Sequence, residues 1–213
     1  MEAMKFLASP LLEGVAALVH GFGQRIPGPR ESARQAAQIE FKSAGDVFFL
    51  KQVHGCAVVT PPWTVAPEAD ASITAEAGAL LAIETADCLP ILIVDPILRR
   101  VAAAHAGWRG TLAGVAIKAV RALVGEGSNP ASLLAALGPS IGPCCYEVGP
   151  EVEEAFGPSG ARFFVPGPRG RKHLDLAKAN LAQLEECGVP AACIDSLRLC
   201  TRCREDLFFS YRR

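Results

Sequence analysis

Methionine and histidine are scarce in this 213-residue chain, at two and four residues, and neither sign of charge dominates. The 21 Lys and Arg and 22 Asp and Glu leave a net charge of -1 at pH 7, with no run of like charge. That excludes the electrostatic footprint of a dedicated nucleic-acid binder. No apolar stretch reaches the ~20 residues that a membrane-spanning helix needs. The N-terminus, MEAMKFLASPLLEG, pairs a short apolar patch with a weak basic region and no convincing signal peptide, so a cytoplasmic location is expected. Repeats, linkers and low-complexity tracts are also lacking.

What is present is apolar material. Half of the residues are hydrophobic and 20% are charged, enough for a substantial core in one domain spanning residues 1–213. Eight cysteines in a reducing cytosol are expected to be free thiols or ligands. Bridging the neighbours Cys144 and Cys145 is strained. Cys200-x-x-Cys203, taken with Cys187 and Cys193, lacks the second close pair of a four-cysteine zinc site. These cysteines therefore read as small buried hydrophobes.

The stretch Leu80 to Val120 organises the rest. Its apolar runs Leu80 to Ile83, Ile91 to Val94 and Val101 to Ala104 are each short enough for a buried strand. The first leads to Thr85-Ala86-Asp87-Cys88 and the third to His105-Ala106-Gly107-Trp108-Arg109-Gly110. A helix is predicted from near Thr111 to about Val124, with Leu112, Val115, Ala116, Ala119 and Val120 on one face. Upstream, strands are predicted at Val15 to Phe22, Val47 to Val53 and Ala57 to Thr60, with a helix between Gly28 and Gly45. Downstream come a strand at Leu133 to Leu137, a short acidic helix after Pro150 and a helix over Leu174 to Cys187. Closing strands are predicted at Ile194 to Leu199 and Leu207 to Tyr211. Hairpin-length and crossover-length connections together predict an α+β domain with mixed sheets.

His54 and His105 each stand just after a strand and just before Gly or Ala-Gly, and Cys88 holds a similar place. Two imidazoles and a thiolate can hold zinc with one coordination position open, as a catalytic metal requires. The rival reading is a metal-free pair in which an imidazole activates the Cys88 thiolate. Asp87 is a candidate to orient an imidazole, or a plain turn former. Arg109, at a glycine-flanked helix start, offers a forked donor to an anion. A solvated loop arginine is the alternative.

The motifs HGF, KQVHG, ADASIT, ETADCLP, VAAAHAGWRG, LGPSIGPCCYEVG, KHLDL and CTRCREDLFFSYRR follow in this order. Together they closely resemble the YfiH-type laccase-domain family, long labelled polyphenol oxidases and later associated with purine nucleoside phosphorolysis. The resemblance covers nearly the whole chain. It implies a zinc-dependent enzyme that cleaves adenosine, inosine, guanosine and methylthioadenosine with phosphate, and deaminates adenosine as a second activity. It also implies a metal triad of His54, Cys88 and His105 and a substrate-facing role for Arg25. Gln52 and Asp87 are further substrate-binding candidates, and Arg109, at its helix start, is the first candidate for holding phosphate, with Arg25 the second. The implied fold is a four-layer α/β/β/α arrangement, the CNF/YfiH-like cysteine hydrolase fold. A peptidoglycan-precursor editing amidase is the enzymatic alternative, since some relatives are tied to cell-wall quality control; a non-catalytic binding or scaffold protein is the third reading. The chain departs from the family pattern in a compressed segment, GQRIPGPRESARQ, after HGF, and in stopping at Tyr211-Arg212-Arg213. Cys144 and Cys145 match the family pattern, which supports reading them as core.

The oxidase label meets a composition limit. A multicopper oxidase holds four coppers largely through imidazoles, and His20, His54, His105 and His173 are too few. A blue-copper site usually adds an axial methionine, and only Met1 and Met4 exist here. Copper could occupy the triad in vitro, since it outcompetes zinc on raw affinity.

Overall fold

The computed structural model describes residues 5–26, 30–41 and 45–213. Its main sheet is built on an antiparallel hairpin of Leu89–Asp95 (β7) and Arg100–Ala106 (β8). Beyond β7 come Leu134–Leu137 (β9), antiparallel to it, and Ile194–Ser196 (β13), parallel to β9. Beyond β8 come Ala71–Thr74 (β5), antiparallel, and Val58–Val59 (β4), parallel to β5. The sheet is therefore mixed, as expected from the connection lengths.

Side chains alternate across a strand, so each face of this sheet has its own partner. Ile91, Ile93, Ala102 and Ala104 pack with Val115, Ala119 and Leu123 of helix Val115–Gly125 (α4) and Leu184 of helix Leu176–Glu186 (α6). Leu92, Val94, Val101 and Ala136 face the other way, towards Leu12 of helix Pro10–Glu13 (α1) and Phe22. On that side lies a separate parallel pair, Asp46–Phe49 (β3) with Ala79–Ala82 (β6), which carries helix Arg30–Phe41 (α2). Phe6–Leu7 (β1) pairs with Phe22–Gly23 (β2). A three-stranded antiparallel sheet joins Glu147–Val148 (β10), Lys172–Leu174 (β12) and Phe164–Pro166 (β11), with helix Pro150–Gly160 (α5) in the intervening chain.

The core behaves as ordinary apolar packing, and Leu123 on α4 is fully buried within it. Leu123→Ala is expected to cost about 2–5 kcal/mol through lost transfer energy and a cavity. The check is a urea titration in which the midpoint falls and the slope stays unchanged.

Several sequence expectations need correction. Val15 to Phe22 is not a strand: Ala17 takes φ of 61°, the chain turns there, and pairing begins only at Phe22. The helix predicted from Thr111 is two helices, Trp108–Leu112 (α3) and α4, parted at Gly114 with φ of 75°. That left-handed residue swings Leu112 off the buried face, and it is 44% exposed. Leu207 to Tyr211 is not a strand, because the Leu207 and Phe208 N–H groups donate back to Arg204 O instead of to a neighbouring strand. The helix predicted between Gly28 and Gly45 is present as α2, and residues 27–29 and 42–44 lie outside the described residues. Cys144 and Cys203 are exposed, so these two are not core cysteines; Cys200 belongs to the core, and Cys145, Cys187 and Cys193 pack against it.

Candidate metal centre

Strand register brings the candidate ligands together. Pro90 on β7 pairs with His105 on β8, and Leu89 with Ala106, which sets Cys88 beside Gly107. Cys88 therefore stands at the beginning of β7, not at the end of the preceding strand. The hairpin is antiparallel, so the start of β7 and the end of β8 share one edge. On the opposite flank of β8, Ala71 pairs with Ala104, and the His105 N–H donates to Asp70 O at 2.7 Å. His54 arrives on the loop after β3. Ligand atoms of His54, Cys88 and His105 all lie within 4.8 Å of one another, a separation one metal ion can span. The two imidazoles meet edge to face, with ring centroids 4.9 Å apart.

Asp70 holds this arrangement. Its side chain is fully buried, yet its carboxylate accepts four hydrogen bonds. Val53, His54 and Gly55 donate their backbone N–H groups at 3.2, 2.9 and 2.6 Å. The fourth donor is His105 Nδ1, at 2.8 Å. Burial opposes the charge on Asp70, but these bonds outweigh it and hold the carboxyl below its usual range. A carboxylate can only accept, so His105 carries its proton on Nδ1 and presents Nε2 as a lone pair. Burial in turn lowers the affinity of His105 for a second proton, against the pull of Asp70. His54 has φ of 61°, a left-handed conformation that the three N–H bonds from its loop to Asp70 sustain.

Burial, then Asp87 and Asp70, push the Cys88 thiol up to about 11. A metal-free nucleophilic pair needs the opposite shift. Gly107 fits tightly against the ligands: a Cβ there would stand 2.9 Å from Cys88 Sγ and 3.2 Å from His54 Cδ2. Gly107→Ala is thus expected to displace the thiol and weaken metal retention by tenfold or more, the outer-contact range, with little loss of thermal stability. Competition with a chromophoric chelator reads that affinity.

The triad opens on a cavity of about 1120 Å³, lined on one side by Val47, Phe49 and Leu81 and on the other by Leu92 and Val101. Arg25 and Gln52 belong to its wall, whereas Arg109 and Asp87 do not. Gln52 spends its amide on the backbone of Glu84, donating to O and accepting from N at 2.8 Å each. That clamp ties the loop of His54 to the chain entering Cys88. Arg25 is exposed, 5.0 Å from the Phe209 ring centroid. Arg109 is also exposed and lies 4.4 Å from the Trp108 ring centroid. Asp87, with φ of 86°, anchors the C-terminal segment. It accepts from Thr201 Oγ1 at 2.6 Å, Ser210 Oγ at 3.0 Å and the Arg212 N–H at 2.8 Å.

The other two histidines stand outside the triad, though His20 lines the same cavity. His20 Nε2 accepts the Ser9 N–H at 3.0 Å, and His173 Nδ1 bonds Pro143 O at 2.7 Å. Among the described residues no helix is long and apolar enough to cross a membrane. Asp70, which bonds His105 and the loop of His54, is not singled out by the sequence; its signals are its place in the ADASIT motif and directly before the fully buried strand β5.

Known proteins resemble this chain over most of its length. A purine nucleoside phosphorylase of Deinococcus radiodurans is 43% identical over 188 residues, covering 88% of this chain and 72% of that protein. Adenosine deaminase RL5, from an unknown prokaryotic organism, is 43% identical over 150 residues, covering 68% of this chain and 56% of that protein. The crystal structure of YlmD from Geobacillus stearothermophilus superposes with a TM-score of 0.87 at 31% identity, covering 100% of this chain and 92% of that one. The hypothetical protein YfiH of Bacillus licheniformis gives a TM-score of 0.82 at 29% identity, covering 91% and 86%. Residues 28–213 match the family model described as multi-copper polyphenol oxidoreductase laccase, and with these relatives the match makes the chain a member of the YfiH-type laccase-domain family.

Proposed function

We propose that this protein is a zinc-dependent purine nucleoside phosphorylase acting on adenosine, inosine, guanosine and methylthioadenosine, with adenosine deamination as a side activity. The observation that carries it is the convergence of His54, Cys88 and His105 at one wall of a cavity of about 1120 Å³, room for a nucleoside and an anion together. Relatives named for both activities support the reading. The donor set of two imidazoles and one thiol suits zinc, and His54, Cys88 and His105 are the residues that would hold it. When bound, such a metal supplies Lewis acidity. The main sheet packed by α4 and α6, together with the separate β3–β6 pair that carries α2, is the support for the four-layer form of the family fold.

In phosphorolysis a phosphate oxygen bonds to C1′ of the ribose while the glycosidic C–N bond breaks and its electrons leave with the purine. The site must hold an anion beside a sugar gaining positive charge. Arg25 is our first assignment for that anion, because it is a cation exposed in the cavity wall; Arg109 is the second. Apolar walls from β3, β6 and β7 limit competing water around the purine. Asp70 keeps His105 in one tautomer, and Gln52 fixes the entry of the loop that bears His54.

Deamination needs no phosphate, so the two activities separate the roles. Arg25→Ala is expected to slow phosphorolysis about ten- to a hundredfold, the value of one charge-assisted contact, and to spare deamination. Arg109→Ala showing that pattern instead moves the anion to Arg109. The parent test is incubation with nucleosides and phosphate, followed by chromatography for free base. Turnover of a muropeptide alone, or copper-dependent oxidation of phenols alone, overturns the proposal. A four-copper centre finds no support, since His20 and His173 do not join the cluster of His54, Cys88 and His105.

A further inference from the structure

Away from the triad, Cys144, Cys145, Cys200 and Cys203 gather at the foot of the C-terminal segment. All four Sγ atoms lie within 4.8 Å of one another. Cys203 Sγ stands 3.7 Å from that of Cys144 and 3.4 Å from that of Cys145. Four thiolates at ~2.3 Å from one tetrahedral ion are roughly 3.8 Å apart. We propose that these four cysteines form a second, tetrathiolate zinc site that pins the C-terminal segment to the loop after β9.

The backbone presents the four sulfurs on two opposed turns. One is closed by Cys145 N–H to Gly142 O at 2.9 Å, the other by Arg204 N–H to Cys200 O at 3.0 Å. Ser140 and Thr201 join the turns through N–H bonds, Ser140 to Leu199 O at 3.1 Å and Thr201 to Ser140 O at 3.0 Å. Outer support for a thiolate is present as well, since the Gly142 N–H donates to Cys200 Sγ at 3.3 Å. Cys144 and Cys203 are exposed, which leaves an ion a path in from solvent. On binding, each thiol gives its proton to solvent and its sulfur to the metal. The adjacent pair Cys144–Cys145 supplies two ligands without bridging each other, and Cys200-x-x-Cys203 supplies the other two.

The site also has a consequence for the triad. Thr201, between its two ligands, bonds Asp87, the neighbour of Cys88, and Ser210 and Arg212 bond the same carboxylate. A metal at the four cysteines would hold this segment against the cavity wall that Phe208 and Phe209 share.

The test counts zinc in protein purified under reducing conditions with zinc supplied. About two ions per chain are expected in the wild type, about one in Cys88→Ala and about one in Cys203→Ser, following the ligand sets. Cobalt substituted into Cys88→Ala should give the absorption of a tetrathiolate, and X-ray absorption on its zinc form should give four sulfurs at ~2.3 Å. These readings need no activity and do not require Cys203→Ser to fold. Folded Cys88→Ala without zinc, with a nitrogen or oxygen shell, or with a disulfide among the four cysteines under reducing conditions, overturns the proposal. One ion in the wild type that survives in Cys88→Ala keeps the tetrathiolate site and removes the triad as a zinc site.

Discussion

Asp70→Ala is expected to abolish the triad and to destabilise the fold at the same time. The side chain is fully buried and accepts from three backbone N–H groups and from His105 Nδ1. Alanine leaves all four donors without an acceptor, and a buried unsatisfied group costs about 1–3 kcal/mol. Water entering the vacated space would restore part of that. Even so, the loss is of the order of 4 kcal/mol or more, against a typical domain stability of about 5–15 kcal/mol. His105 also loses the partner that fixes its tautomer, and the His54 loop loses what sustains its left-handed backbone. Asp70→Asn is the milder comparison. It keeps the shape and one acceptor, but its amide group meets N–H donors. That variant should remain folded and hold metal about 10–100-fold more weakly, the usual effect of removing an outer carboxylate from a ligating histidine. Thermal unfolding together with metal content checks both variants. Full metal occupancy and unchanged stability in Asp70→Ala would show that the carboxylate is a bystander.

Cys88→Ala should behave differently, removing function while sparing the fold. The half-buried thiol contributes only a small apolar volume, so the unfolding temperature should change little. Zinc should fall by about one ion per chain, and phosphorolysis and deamination should fall together. Losing several kcal/mol of charge stabilisation corresponds to roughly 10²–10⁴ in rate. Chelation of the wild type should reproduce the loss and added zinc should reverse it. If chelated protein stayed active while Cys88→Ala did not, the thiol itself would be the nucleophile and the Cys–His amidase reading would stand.

Local pattern was enough to recover the strands around the site and to single out three candidate ligands, whose donor atoms lie within 4.8 Å of one another. The runs at Leu80, Ile91 and Val101 are apolar and short, and they became β6, β7 and β8 with His105 and Cys88 at their ends. At two of the places where local pattern failed, a single backbone angle was responsible. Ala17 and Gly114 take positive φ, and each ends a periodic stretch that hydrophobicity alone would continue.

By itself, then, the sequence determined the family, the mixed α+β class and the residue types able to hold a metal, because those depend on composition and on spacing within one element. Tertiary structure alone decided which distant side chains meet. Asp70 and His105 are 35 positions apart, and only the pairing of β5 with β8 puts a carboxylate against that imidazole. Cys144 and Cys203 are 59 positions apart, and only the turns joined at Ser140 and Thr201 bring their sulfurs together. Spacing in the chain offered Cys200 and Cys203 only Cys187 and Cys193, which lack a second close pair, whereas in space their neighbours are Cys144 and Cys145, since the partner of a short motif is chosen by the path of the backbone.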